Sequence, residues 1–294
     1  MKKQQKNRKV LILGGDGMAG HMIKTFLREM FYDVFSTTRG ETDKNNYFFD
    51  VVKDFTKLEE IIRDVNPDFI VNGIGVLNQF AEERKEQAIL INSFLPHYLD
   101  SLSEKLRFKL IHISTDCVFS GEKGAYMETD IPDASSFYGR TKSLGEVRNG
   151  KSLTLRTSIV GPDINEHGIG LFNWFIKQEH ETKGFSGVIW TGVTTLQLAK
   201  VIEKIFDLNI TGLYHLVNNK KISKFDLLSL FKKHMRKDIV IKADSSYKSD
   251  KSLIDTRKDP HLNIPDYDVM IKEMSEWIYE HEGFYGTIIL NAKR

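Results

Sequence analysis

The sequence predicts an α/β chain built on a doubly wound parallel sheet. Three observations carry that expectation. Short apolar runs alternate with segments of helical period along most of the 294 residues. The first run, residues 9–13, is followed at once by Gly14-Gly15-Asp16-Gly17-Met18-Ala19-Gly20, and then by Met22, Ile23, Phe26, Leu27 and Met30 at helical spacing. Further on, Ser114-Thr115-Asp116 ends an apolar run and precedes Tyr138 and Lys142, which share one face if their segment is helical.

Composition fits such a core. Hydrophobic residues make up 40% and charged residues 28%, which excludes a disordered chain. A net charge of +2 is too mild to indicate a nucleic-acid partner, while leaving room for a local basic site for a phosphorylated ligand. Cys117 is the single cysteine, so no internal disulfide can form, as suits a reducing compartment. The basic residues 1–9 lead into only Val10 to Leu13, too short for a signal-peptide core, and no run approaches the roughly 20 apolar residues of a membrane span. A cytoplasmic protein without a membrane partner is expected.

Taken in order, residues 1–8 read as a frayed polar arm and 9–13 as a buried strand. In the turn that follows, Gly14 permits the tight bend, Gly17 lets backbone approach a pyrophosphate, and Gly20 lets the helix pack on the sheet. Asp16 and Met18 lie at the helix start, where free amides favour an anion. Strand, glycine turn and helix together predict a dinucleotide site. The second strand, 33–39, ends in Ser36-Thr37-Thr38-Arg39. Hydroxyls and a guanidinium suit the 2′-phosphate of NADP, so NADPH is the expected cofactor and NADH the alternative. Arg39 as a plain surface charge is the bland reading.

Residues 47–50 read as a third strand, with Asp50 and Val51 either bordering an adenine pocket or, for Asp50, capping the next helix. A short helix covers 58–65. The fourth strand, 68–73, ends at Gly73, which leaves space for a cofactor beside Gly75. A helix over 82–102 carries Asn92, and the fifth strand spans 107–114. Ligands collect at the carboxyl ends of such strands, where Ser114, Thr115 and Asp116 lie. A sixth strand follows at 151–156. After Gly161-Pro162 the alternation loosens. A helix at 194–206 and a seventh strand at 212–217 return to the sheet, with further helices at 225–235 and 270–281. The expected division is a dinucleotide-binding domain of 1–161 plus 193–217 and a smaller lobe of 162–192 plus 218–294.

Tyr138 and Lys142 carry the chemistry. An ammonium beside a phenol lowers the phenol pKa, giving a group that exchanges a proton near neutrality. Cys117 reads as a small packed residue and His112 as a satisfied core histidine. No His, Cys and Asp group has metal-ligand spacing. His167 sits in a lobe loop that can touch a substrate. Trp174 and Trp190 read as core, or as walls of a base pocket.

The chain resembles the extended short-chain dehydrogenase/reductases, and within them the dTDP-4-dehydrorhamnose reductase group of sugar-nucleotide reductases. The likeness rests on Gly14-x-x-Gly17-x-x-Gly20, Ser114-Thr115-Asp116-x-Val118-Phe119-x-Gly121, Tyr126-x-Glu128-x-Asp130, Tyr138-Gly139-x-Thr141-Lys142-x-x-Gly145-Glu146 and, more weakly, Leu155-Arg156-Thr157-Ser158-x-Val160-x-Gly161. The resemblance implies a Rossmann domain for NADPH or NADH and a C-terminal lobe for a nucleotide-diphospho-sugar. It places the catalytic threonine, tyrosine and lysine on Thr115, Tyr138 and Lys142. The implied reaction reduces a 4-keto-6-deoxyhexose nucleotide. Lys142 would also reach the nicotinamide ribose, Ser114 is the fallback for Thr115, Arg257 is the loose analogue of a diphosphate contact, and a homodimer is the assembly to test.

Cys117 departs from the aromatic usual at its position, as does the stretch 72–79 from the group's usual sequence, and residues 251–257 lack an Arg-Pro-x-Asn-Ser run. Rival readings are an epimerase or 4,6-dehydratase on the same scaffold and a non-catalytic NADP-binding regulatory subunit. A dehydratase needs an acid directly after the Thr-Asp pair, where this chain has Cys117.

Overall fold

The computed structural model describes residues 6–165, 168–258 and 262–293. Seven strands form one parallel sheet: β1 (Lys6–Leu13), β2 (Tyr32–Thr38), β3 (Asn46–Phe48), β4 (Phe69–Asn72), β5 (Lys109–Thr115), β6 (Leu153–Thr157) and β7 (Gly212–His215), in the order β7-β6-β5-β4-β1-β2-β3. The order reverses between β1 and β4, which opens a crevice at their carboxyl ends. The predicted strands and doubly wound topology are all present.

Alternate residues of β1 feed two cores. Val10 and Ile12 pack with Met22, Ile23 and Phe26 of α1 (Met18–Glu29), on the face also covered by α8 (Thr195–Ile205). Leu11 and Leu13 pack with Leu58, Ile61 and Ile62 of α2 (Lys57–Val65) and Leu95 and Leu99 of α5 (Leu95–Leu106). A sheet buried on both faces needs the continuous apolar runs seen in the sequence.

Two elements differ from expectation. Lys6 to Arg8 extend β1 instead of fraying, because Lys6 aligns with Tyr32 and Arg8 Nη1 donates to the Phe206 carbonyl at 3.0 Å and to Asp207 Oδ1 at 2.6 Å. The single helix expected over 82–102 is divided into α3 (Asn78–Glu83), α4 (Lys85–Ala88), a π-helical turn (Ile89–Phe94) and α5. The π turn aims Asn92 at the loop after β4: its Oδ1 accepts from Val76 N at 2.8 Å and its Nδ2 donates to the Val76 carbonyl at 2.9 Å. The helices expected at 225–235 and 270–281 are present as α9 (Lys224–Met235) and α10 (Tyr267–Glu280), and Leu227, Phe231, Met270 and Met274 pack in the α1 core together with Phe172 and Phe175 of α7 (Leu171–Ile176).

Beyond the main sheet, a strand at Val188–Trp190 pairs antiparallel with Ile222–Ser223 and parallel with Ser249–Asp250. Just beyond Ser249–Asp250, Leu253 bridges to Tyr126 in the segment between β5 and the helix that follows it. No helix among the described residues is long and apolar enough to cross a membrane.

Candidate active site

The glycine turn is built for close approach. Gly14 has φ +82°, which a side chain would oppose. A Cβ on Gly20 would stand 2.0 Å from the Gly14 carbonyl oxygen, so only glycine lets α1 start this close to the turn. Gly15, not singled out by the sequence pattern, is equally constrained: its Cβ would meet Ser36 Cβ at 2.5 Å. Gly17 is the N-cap of α1 and offers no side-chain cap, so the first amides of this twelve-residue helix stay available to an anion. Gly73 and Ile74 border the turn, with Gly73 N donating to the Leu13 carbonyl at 3.1 Å. These features fit a dinucleotide pyrophosphate. Met18 faces the lobe, its Sδ 3.1 Å from where a Gly170 Cβ would be.

At the end of β2 the hydroxyls are engaged within the turn. Thr37 Oγ1 accepts from Gly14 N at 3.0 Å, Ser36 donates to Asn46 Oδ1 at 2.8 Å, and Thr38 donates to Asp16. Ser36 and Thr38 thus donate within the turn, while Thr37 accepts and keeps its own O–H to donate. Arg39 is exposed and pairs with no described residue. Asp16 also accepts from Lys24 at 3.0 Å. Burial pushes its pKa up, but the Thr38 and Lys24 contacts outweigh that and hold it below the usual carboxylate range. Asp50 Oδ1 accepts from Val52 N at 3.0 Å, closing its own turn, and Val51 is buried in the α2 core. The capping alternative for Asp50 is thus the nearer one, although it caps a turn and not the helix.

The catalytic candidates converge where β5 ends. Thr115 caps a 3-10 turn, Asp116–Val118, its Oγ1 accepting from Cys117 N at 3.1 Å. Tyr138 and Lys142 lie on α6 (Phe137–Leu144), which Ser136 caps by accepting from Gly139 N at 3.1 Å. Gly139 allows the approach: its Cβ would stand 2.1 Å from the Cys117 carbonyl oxygen. Asn92 Nδ2 donates to Thr141 Oγ1 at 3.2 Å, and Glu82 accepts from Phe137 N at 2.6 Å, so α6 is held from both sides.

The electrostatics run against the expectation for Tyr138. Its pKa is pushed up by burial and by the neighbouring Cys117 and Asp116, with a hydrogen bond to Thr115 opposing. Lys142 does not lower it, because the ammonium turns to β5, donating to the Ile113 carbonyl at 2.8 Å and lying 3.4 Å from His112 Nε2. Burial lowers Lys142 to about 8, with Glu146 opposing. His112 is satisfied as expected, its Nδ1 3.2 Å from Asn72 Nδ2. Burial pushes Cys117 up to about 11, so it stays a packed thiol.

The residues expected on the substrate side scatter. Ser114 donates to Glu146 Oε1 at 2.8 Å, and that carboxylate also takes Arg156 Nε at 2.7 Å. Ser114 is therefore part of a buried ionic strut instead of a waiting donor. Arg257 Nη1 donates to the carbonyls of Thr211 at 2.6 Å and Leu213 at 3.0 Å, at the amino end of β7 and away from the strand ends that form the site. This placement does not suit a diphosphate contact. Trp190 is 3% exposed and packs on Tyr267, so its indole belongs to the interior. His167 lies outside the described residues. Among the described residues no group of His, Cys, Asp and Glu could hold a metal ion.

The chain is similar to known proteins. The spore coat polysaccharide biosynthesis protein SpsK of Bacillus subtilis is 27% identical over 72% of this chain and 74% of its own. The methionine adenosyltransferase 2 subunit beta of Xenopus laevis is 25% identical over 75% and 70%, and the dTDP-4-dehydrorhamnose reductase of Aggregatibacter actinomycetemcomitans 27% over 74% and 76%. Among solved structures, a hypothetical dTDP-4-dehydrorhamnose reductase from Sulfolobus tokodaii superposes with a TM-score of 0.73 at 26% identity, over 88% of this chain and 98% of that one. The dTDP-4-dehydrorhamnose reductase of Bacillus anthracis, in complex with NADP, gives 0.77 at 20% identity over 92% and 99%, a likeness of fold. With the glycine turn, the β5 end and α6 in these positions, and a match over residues 8–253 to the family described as RmlD substrate binding domain, the chain belongs to that family.

Proposed function

We propose that the protein is a cytoplasmic NADPH-dependent reductase of a nucleotide-diphospho-4-keto-6-deoxy sugar, serving deoxysugar and surface-polysaccharide biosynthesis, with NADH as the weaker cofactor. Residues 1–161 plus 193–217 would hold the cofactor, and 162–192 plus 218–294 the sugar nucleotide. The observation that carries this reading is the convergence of Thr115, at the carboxyl end of β5, with Tyr138 of α6, the helix that Gly139 lets approach the Cys117 carbonyl.

A bound nicotinamide supplies the hydride that reduces the ketone carbon. Tyr138 remains a neutral phenol across the physiological range and donates its proton to the oxygen as negative charge grows there. The Thr115 hydroxyl, which donates to Asp116 Oδ1 at 3.2 Å, would turn from it to donate to the same oxygen, a contact stronger in the transition state than in the ketone. Lys142, whose ammonium donates to the Ile113 carbonyl at 2.8 Å, would reach a ribose hydroxyl by sharing that contact. Arg39 is the group offered to a 2′-phosphate. Cys117 leaves no acid where a dehydratase needs one.

Purified protein with NADPH and a panel of 4-keto-6-deoxy sugar nucleotides, followed by nicotinamide absorbance, tests the reading. The similarity to the methionine adenosyltransferase subunit supports a second reading, a non-catalytic NADP-binding subunit. Tight NADPH binding without reduction of any panel member would favour that second reading.

A further inference from the structure

Behind the glycine turn a buried hydrogen-bonded pair takes no part in the reaction above. His21 lies on the first turn of α1, and Tyr285 lies on α11 (Glu282–Ala292), which is interrupted at that residue (φ −120°, ψ 18°). His21 is 3% exposed and Tyr285 2%, so water cannot take the place of either partner. His21 Nε2 is 2.9 Å from the Tyr285 hydroxyl, and His21 Nδ1 is 3.0 Å from the Gly17 carbonyl oxygen. The two rings meet edge to face, their centroids 5.8 Å apart. At the far end of α1, His281 Nε2 lies 2.6 Å from Glu29 Oε1, and between these contacts Trp277 of α10 packs on Phe26. The C-terminal helices therefore hold α1 along its length, from the glycine turn to its last residue.

A carbonyl oxygen only accepts, so Nδ1 carries the hydrogen donated to Gly17. Burial pushes the His21 pKa below its usual value, so near neutral pH the ring is uncharged and Nε2 is bare. The Tyr285 hydroxyl then donates to Nε2. The Gly17 carbonyl accepts a second hydrogen bond from His21 N at 2.9 Å. That carbonyl shares one planar peptide unit with Met18 N–H, which points the opposite way. Met18 N–H is the first amide of α1, and such an amide has no acceptor within its helix. Two donors that hold the carbonyl down the helix thus aim the amide outwards, where the glycine turn suits a pyrophosphate.

We propose that His21 and Tyr285 are positioning residues for the dinucleotide: they fix the Gly17 peptide, set the Met18 amide for the pyrophosphate, and couple the C-terminal helices to cofactor binding. The inference rests on the cofactor half of the function proposed above and on nothing about the sugar.

Two measurements on the full chain test it. Nitrogen NMR of labelled histidines reads the tautomer, and His21 should show a protonated Nδ1 and a bare Nε2. Fluorescence titration with NADPH and with NADH compares the unmodified protein with Tyr285→Phe, His21→Phe and His21→Asn. Both phenylalanine variants should weaken both dinucleotides roughly three- to tenfold, by a common factor because the pyrophosphate is common to both. His21→Asn, whose amide can donate where Nδ1 did, should keep more of the affinity than His21→Phe. If His21→Phe does not fold, Tyr285→Phe, which keeps its ring, gives the same comparison. A protonated Nε2 in the unmodified protein, unchanged affinity in the folded phenylalanine variants, or weakening confined to NADPH overturns the proposal while the cofactor reading stands. If the unmodified protein binds neither dinucleotide, the cofactor reading falls and the proposal with it. Dinucleotide binding that depends on His21, in a protein that reduces no 4-keto sugar, leaves the proposal standing while the reductase reading falls.

Discussion

Tyr138 is a phenol whose surroundings oppose ionisation, which makes it a proton donor that is always loaded. Tyr138→Phe keeps the ring but removes the proton, and should lower kcat by roughly 10² to 10⁴ while leaving NADPH affinity intact. Thr115→Val should cost on the order of 100-fold or more in kcat with little change in KM. Single-turnover assays check both, and full turnover by either variant would remove that residue from the mechanism. Lys142 titrates near 8 because burial favours its neutral form. Its ammonium is charged below that pH and lost above it, so activity that depends on the charge should fall as pH rises through about 8. The limb should vanish from the residual activity of Lys142→Met; an identical limb in that variant would assign the titration elsewhere. Since Tyr138 and Lys142 act as a unit, the double variant should be little worse than the poorer single one.

At the scale of elements, packing distances separate two glycines that look alike in the motif. Gly20→Ala would drive a Cβ to 2.0 Å from the Gly14 carbonyl oxygen, a backbone atom that cannot move alone. Overpacking of this kind costs about 1–3 kcal/mol, and the turn that would hold the pyrophosphate must shift with it. Gly17→Ala meets the same oxygen at 3.5 Å, an ordinary contact, so the fold should survive. Thermal melts with NADPH titrations should therefore show lost stability and affinity for Gly20→Ala, but lost affinity alone for Gly17→Ala. Equal melting temperatures for the two would contradict the packing reading. The π turn at Ile89–Phe94 works similarly at a distance: it presents Asn92 to both the loop after β4 and α6, so a helix irregularity positions the catalytic helix.

Across the whole molecule, one buried strut joins the catalytic strand to the lobe. Glu146 accepts from Ser114 on β5 and from Arg156 on β6. Arg156 Nη1 lies 2.9 Å from His215 Nε2 on β7, and His215 Nδ1 donates to the Ile254 carbonyl at 2.8 Å. Arg156→Met leaves Glu146 charged in the interior and should cost about 3–5 kcal/mol by denaturant unfolding, part of which Glu146→Gln should restore. Burial holds the His215 pKa down, so it is neutral when folded. Burial alone would raise Glu146, but Arg156, Arg148 and Ser114 pull it down. Both folded pKa values lie below the unfolded ones, so their stabilisation is complete above the unfolded values and is lost as pH falls. His215 begins to lose its share near its usual 6.5, and Glu146 below its usual 4.5. The melting temperature should drop between about pH 7 and pH 5, less so in His215→Gln. A flat profile would show that His215 is not held neutral.

The sequence by itself determined the doubly wound sheet, the glycine turn and the helix bearing Tyr138 and Lys142. These depend on local causes: apolar runs at strand length, φ +82° at Gly14, and a serine cap before α6. Only the tertiary structure decided what each polar group touches. Thr37 and Thr38 looked free for a phosphate, yet their partners are Gly14 and Asp16, which lie some twenty residues earlier. Lys142 turned from Tyr138 to the Ile113 carbonyl on β5, and α6 packs through Gly139 on the turn that follows that strand, contacts that spacing along one helix does not contain. Arg257 went to the amino end of β7, away from the strand ends that form the site. Helix and strand periods act over a few residues, whereas burial and hydrogen bonding join residues far apart in the chain, and it is these that set the charge state of the site.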